Sequence, residues 1–402
     1  MDCCQTVIKD FPLIWTKRSR IRSKNPKNGV PVKITDVKVV LIPYLAANPA
    51  FKWREGLNIN NGFGSSPAGT AGFLLIETDE GFTGIAAVGN GVILEDYVNR
   101  RLRQMLLGKD PLDREYFYEQ IWEIDRIERF PAWMLGIVDV ALWDIAGKQA
   151  NLPIYKLMGG YRESIPAYAS TATYETIEEF LDVADKVQAL GYKSIKLHAW
   201  GDAKKDAELS LALRAHVGDE MPLMYDGSAG FDLMDAVYLG DALTEANYLW
   251  YEEPMREFSV TAYKWLGERV KIPLLLGEVA EGAHFAAGDF LASGVASALR
   301  TSTGLRGGFT GAMRIAHLAD AYHLRAEVHG GGLTAAHLCM AIKNTTAYES
   351  FISSTAIDRP EARFVEIDSD GMVHAPKGVG VGFEEEWKLF GLPEQLAKHI
   401  TL

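Results

Sequence analysis

Residues 222–278 read PLMYDGSAGFDLMDAVYLGDALTEANYLWYEEPMREFSVTAYKWLGERVKIPLLLGE. Three short apolar runs stand out, PLMYD, YLWYE and PLLLGE, and each closes on an acid: Asp226, Glu252 and Glu278. Both steps between the acids are 26 residues long, which is one strand, one helix and the return to the next strand. On consecutive parallel strands, three carboxylates arrive at the same end of the sheet, where they repel one another strongly. A divalent cation resolves that repulsion. An all-oxygen set with no cysteine and no histidine pair beside it suits one Mg²⁺ per subunit better than zinc.

The same texture extends to both sides. From Ile165 onward the short runs IPAYAS, YKSIKL, PLMYD, YLWYE, PLLLGE, ASALRTS, RAEVH and TTAYE alternate with amphipathic segments. Eight strand-helix repeats are what a parallel barrel requires, and its working groups sit where each strand ends. No GxGxxG follows a first strand, which argues against a doubly wound open sheet. Upstream, VKITDVKVVLIP (32–43) and a hairpin over 72–87 turning at Asp79-Glu80-Gly81 precede helical periodicity in 94–108 and from Asp113 through Lys148. The expectation is an α/β fold: a modified, TIM-like (β/α)-barrel of about eight strands over 161–369, capped by an α+β domain over 32–160 to which the tail, 370–402, returns. Residues 1–31 are locally basic and read as an extension or disordered arm.

Composition sets the outer limits. The 402 residues are 48% hydrophobic and carry a net charge of −12, which suits a soluble protein and argues against a nucleic-acid footprint. No apolar run approaches the roughly 18 residues of a membrane span. Three cysteines, Cys3, Cys4 and Cys339, make no disulfide framework, and a reducing cytoplasm fits best.

Asp226, the Glu252-Glu253-Pro254 triplet, Gly277-Glu278, the Gly307-Gly308-Phe309-Thr310 turn, His329 and the segment Val138–Gly160 together resemble the enolase superfamily, mandelate racemase subgroup, over about residues 32–402. The resemblance implies bound Mg²⁺, a cap built from both termini, symmetric homo-oligomers, and removal of the proton next to a carboxylate through an enediolate. It also implies roles. In YKSIKLH, residues 196 and 198 share one face of a strand. Where the family has Lys-x-Lys this chain has Lys-x-His, so Lys196 takes the electrostatic place beside the substrate carboxylate and His198 the place of the base. Histidine exchanges protons near pH 7 without a large shift. Glu349 corresponds to the glutamate that hydrogen-bonds the substrate carboxylate.

One departure matters. The family pairs the His329 position with an aspartate five residues before the Gly-Gly turn, and this chain has Ser302 there. Without that carboxylate His329 is expected to be less basic and suited to acid work, protonating a departing hydroxyl. Cycloisomerases and dipeptide epimerases of the superfamily carry lysine at that place, so Ser302 points away from those branches. Trp53 and Arg54 lie in the loop that would close the barrel mouth and are candidates for the distal end of a substrate.

The function expected is a Mg²⁺-dependent hydro-lyase acting on a sugar acid, aldonate or aldarate, to give a 2-keto-3-deoxy acid, broadly resembling rhamnonate or galactonate dehydratases. The alternatives are a racemase or epimerase of a 2-hydroxy acid by the same chemistry, a metal-free Schiff-base aldolase using Lys196, and a catalytically silent member of the superfamily.

Overall fold

The computed structural model describes residues 32–45, 68–129, 132–353, 355, 357 and 365–384. Trp53, Arg54 and residues 1–31 lie outside the described residues. Strands β1 (Ile34–Leu45), β2 (Ala68–Thr78) and β3 (Thr83–Val88) form an antiparallel sheet in that order. Helix α1 (Gly91–Tyr97) runs through a π-helical turn (Val98–Leu102) into α2 (Arg103–Leu106). The periodic stretch expected from Asp113 through Lys148 is two helices, α3 (Arg114–Glu128) and α4 (Ala132–Ala150). Arg129 ends α3 in the left-handed region (φ 56°), its N–H donating to the Asp125 carbonyl. A short α5 (Ile154–Leu157) leads to the barrel.

The eight expected runs each hold a strand: β4 (Ser164–Thr171), β5 (Ile195–His198), β6 (Leu223–Asp226), β7 (Tyr251–Glu252), β8 (Leu274–Leu276), β9 (Ala298–Thr301), β10 (Arg325–Val328) and β11 (Tyr348–Ile352). All their ladders are parallel, in the order β10-β9-β8-β7-β6-β5-β4-β11. No ladder joins β10 to β11 among the described residues. That seam is bridged instead by the Ala326 N–H donating to the Asn344 carbonyl at 2.9 Å and by Glu327 accepting from Thr346 N at 3.0 Å and Oγ1 at 2.8 Å.

Between the strands lie α6 (Ile177–Ala189), α7 (Ala203–Val217), α8 (Leu233–Glu245), α9 (Val260–Gly267), α10 (His284–Ser293), α11 (Gly308–Ala321) and α12 (Leu333–Ala341). Side-chain oxygens of Thr176, Asp202, Asp232 and Ser259 accept first-turn N–H groups of α6 to α9, which sets where those four helices start. β12 (Met372–His374) runs antiparallel beside β4. No helix among the described residues is long and apolar enough to cross a membrane.

Two large apolar cores result. One lies between the barrel strands and their helices; the other joins β1–β3 to α3 and α4 and takes in Phe309 from α11 and Val381 and Phe383 from the C-terminal segment. A small third cluster, Tyr168, Met224, Trp250 and Leu275, fills the barrel interior. On β6 and at β7 the residues two places further on are Asp226 and Glu252, so the same inward face that builds this apolar floor carries the acids above it.

Candidate active site

The acids do not stand alone above that floor. Lys196, fully buried on β5, reaches Asp226 at 2.9 Å, Glu252 at 3.1 Å and Glu349 at 2.9 Å. Arg300, fully buried on β9, bonds both oxygens of Glu252, one through Nε and the other from Nη2 at 3.1 Å, and donates to Glu349 at 3.0 Å and to the Tyr168 hydroxyl at 2.9 Å. Four carboxylates, those of Asp226, Glu252, Glu278 and Glu349, thus face two fixed cations.

The electrostatics record that excess. Burial, which Arg300 and Lys196 oppose and Asp226 and Glu278 reinforce, pushes Glu252 up to about 8. Burial acts on Asp226 as well, but Lys196 and His198 outweigh it and hold its carboxyl well below the usual range. For Glu349 burial is overcome by Lys196 and Arg300, again well below the usual range. As placed, Glu349 is an acceptor. The hydrogen bond to a substrate carboxylate that the resemblance implies needs its protonated form, which both cations disfavour.

Among the described residues, the three groups whose ligand atoms all lie within 4.8 Å of one another are Glu252, Glu278 and His329. Asp226 is turned one strand over. Its register partner on β5 is His198, and its Oδ2 meets His198 Nε2 at 2.9 Å and Lys196, while its Oδ1 accepts from Ser228 N and Oγ at 2.8 and 3.0 Å. Glu278 reaches the mouth because Gly277, at φ +96°, breaks the strand alternation that would have turned the acid outward. Its Oε2 is buried and 2.9 Å from His329 Nδ1, yet neither atom completes a hydrogen bond. Buried carboxylates at the ends of β6 and β7 and just after β8, outnumbering the two fixed cations beside them, fit a hard divalent cation, which Asp226, Glu252 and Glu278 would hold.

The two histidines occupy different settings. His198 is buried, and its Nδ1 lies 2.7 Å from the Thr171 carbonyl, an acceptor, so Nδ1 carries the hydrogen and Nε2 is the nitrogen turned to Asp226. His329, on the turn after β10, keeps about a third of its side chain (32%) open to the mouth. The lowered basicity expected from Ser302 is not what the structure gives. Burial does work against charge on the ring, but the Glu278 carboxylate, with Glu349 behind it, raises its pKa above the ordinary value, so a glutamate from β8 does what the missing aspartate would have done. Ser302 itself is buried and its hydroxyl accepts from Leu305 N at 3.0 Å, a turn-forming bond.

Arg300 and Tyr168 were missed by sequence reasoning. The signal for Arg300 was present: it stands two residues before Ser302 and so shares its face of the strand.

The pattern of the enolase C-terminal domain-like family matches residues 179–388, and that of the mandelate racemase / muconate lactonizing enzyme N-terminal domain matches 62–159. A D-mannonate dehydratase of Sphingomonas sp. (strain SKA58) is 27% identical over 363 residues, 78% of this chain and 89% of its own length. A 3,6-anhydro-alpha-L-galactonate cycloisomerase of Streptomyces coelicolor is 28% identical over 336 residues, 79% of this chain and 89% of its own. The crystal structure of D-glucarate dehydratase from Agrobacterium tumefaciens, complexed with magnesium, superposes with a TM-score of 0.77 at 29% identity, covering 87% of this chain and 96% of that one. With the strand-end acids, the barrel and both sequence patterns in agreement, the chain belongs to the mandelate racemase and muconate lactonizing enzyme family of the enolase superfamily.

Proposed function

We propose that the protein is a Mg²⁺-dependent dehydratase of a sugar acid, removing the proton next to the carboxylate and expelling the hydroxyl on the neighbouring carbon as water. The observation that carries this reading is the pair of unlike imidazoles, His198 and His329, flanking one set of carboxylates. Held by Asp226, Glu252 and Glu278, the metal would supply positive charge against the anion that forms when the proton leaves.

His198 is the base. Its Nδ1 is committed to the Thr171 carbonyl, which orients the ring, and with Asp226 turned from it toward the metal, Nε2 is the nitrogen that takes the proton. Lys196, kept charged by the acids around it, offsets the negative charge that builds on the substrate carboxylate. His329, whose proton Glu278 helps retain, is the acid. As the C–H electrons form the new double bond and the C–O bond breaks, it delivers that proton to the departing hydroxyl, and the enol so formed relaxes to a 2-keto-3-deoxy acid. Racemisation by the same pair would have His329 deliver its proton to the α carbon instead of to a departing hydroxyl.

Ser302 does not dispose of cycloisomerisation, because a cycloisomerase is among the relatives. The test covers all three outcomes: a panel of aldonates, aldarates and anhydro-sugar acids is incubated with the Mg²⁺-loaded protein, and keto-acid formation is assayed alongside proton exchange in D₂O. Keto acid with solvent deuterium in the product is expected. Exchange without keto acid would mean racemisation, ring opening of an anhydro acid alone would mean cycloisomerisation, and no change in any compound would remove the enzymatic reading.

A further inference from the structure

We propose that Arg300 is a built-in counter-cation that holds the metal affinity of the site in check, making it a positioning and charge-setting residue of the proposed metal centre. The inference rests on the metal reading above. Arg300 is fully buried and reaches four strands at once: Tyr168 on β4, Glu252 on β7, the Val328 carbonyl on β10 at 2.9 Å and Glu349 on β11, with Glu278 3.8 Å away. Lys196 approaches the same two carboxylates, Glu252 and Glu349, from β5, and its ammonium lies 6.0 Å from the Tyr168 ring centre. Glu252 and Glu349 are therefore each shared between two cations, and Tyr168 stands at the junction.

The arrangement has a consequence for charge. Histidines apart, Asp226, Glu252, Glu278 and Glu349 carry four negative charges when all are ionised, as metal binding requires, and Lys196 and Arg300 return two, so these fixed groups sum to −2. With a neutral residue at 300 the same site stands at −3. Two effects follow, with opposite signs. The metal-free protein loses the partner that makes burying Glu252 and Glu349 tolerable, so it becomes less stable. A divalent cation meets one more uncompensated negative charge at close range, so it binds more tightly. A residue that only supported the fold would weaken both properties together.

The test measures Mg²⁺ binding by titration calorimetry, and melting temperature with and without Mg²⁺, on the full chain without substrate. Arg300→Gln, which removes the charge but keeps a polar side chain, is expected to melt lower when metal-free and to bind Mg²⁺ at least about ten-fold more tightly than the wild type. Arg300→Lys, which keeps the charge, is expected to stay within about three-fold of the wild-type affinity. A folded Arg300→Gln protein that binds Mg²⁺ no more tightly than the wild type overturns the proposal. Should Arg300→Gln fail to fold, Arg300→Gln combined with Glu349→Gln restores the −2 balance; wild-type affinity supports the proposal and a ten-fold departure overturns it. Binding by Arg300→Gln with none by the wild type supports the role of Arg300 while refuting the metal dependence of the native enzyme, and binding by neither refutes both.

Discussion

Two of the places where this molecule buries carboxylates treat them in opposite ways. At the seam between cap and barrel, Asp144 accepts from Ile85 N at 2.9 Å and Val381 N at 2.7 Å and is paired with Lys148 at 2.8 Å, while Asp139 accepts from Thr310 N at 2.9 Å and from its hydroxyl. At the barrel mouth the acids instead face one another and outnumber the fixed cations Lys196 and Arg300, and Glu278 Oε2 has His329 Nδ1 at 2.9 Å without an aligned hydrogen bond. The seam spends its acids on tying β3, α4, α11 and the C-terminal segment together. The mouth keeps unsatisfied charge in a fixed place, at a cost to stability, which is the signature of a site rather than of a joint.

The sharpest way to break that contrast is Glu252→Gln. It should lower turnover by about a thousand-fold or more through the metal site and the anion it stabilises. The fold should persist, because Arg300 keeps Glu349, Tyr168 and Val328; steady-state kinetics with circular dichroism checks both halves. Lys148→Met is the counterpart at the seam. It strips Asp144 and Glu384 of their shared cation (2.8 and 2.5 Å) and should cost about 3–5 kcal/mol of stability by denaturant unfolding. The kcat of what remains folded should be unchanged.

The histidines sharpen the account of the mouth. His198→Asn should abolish deuterium exchange next to the carboxylate, whereas His329→Asn should retain exchange and lose elimination by about 10²–10⁴-fold. Equal loss of both in both variants would erase the division of labour. The smallest effect concerns pH. Burial, against which the bonds from Thr310 act, raises Asp139 from 3.8 to about 7. Its folded pKa lies above its unfolded one, so the stability it contributes is whole below about pH 4 and lost as pH rises through about 7. Asp139→Asn should therefore flatten the fall in melting temperature over that window by a few degrees.

Much of the mouth was legible because a strand's period of two and its carboxyl end are local properties. Asp226 and Glu252 could each be placed from their own runs, Lys196 and Glu349 took their roles from the family resemblance, and Glu278 was placed by the end of its run even though its turn at Gly277 breaks the alternation. What could not be read was who answers whom. Arg300 draws its partners from β4, β7, β10 and β11, 28 to 132 residues away, and its charge means nothing until those strands close around it. The raised basicity of His329 comes from Glu278, whose approach depends on the positive φ of Gly277. The seam was silent for the same reason: Asp144 looks like a polar position on a long helix, while its partners lie 59 residues before it and 237 after.

The claim on which the rest depends is that Asp226, Glu252 and Glu278 hold one hard divalent ion. Crystals grown with Mn²⁺ as a Mg²⁺ surrogate test it directly through anomalous scattering. A single peak within about 2.0–2.3 Å of one oxygen from each of the three acids is the predicted result, with Asp226 released from His198. A peak bound by His329 in place of Asp226, or none at the mouth while the ion is present elsewhere, would contradict it.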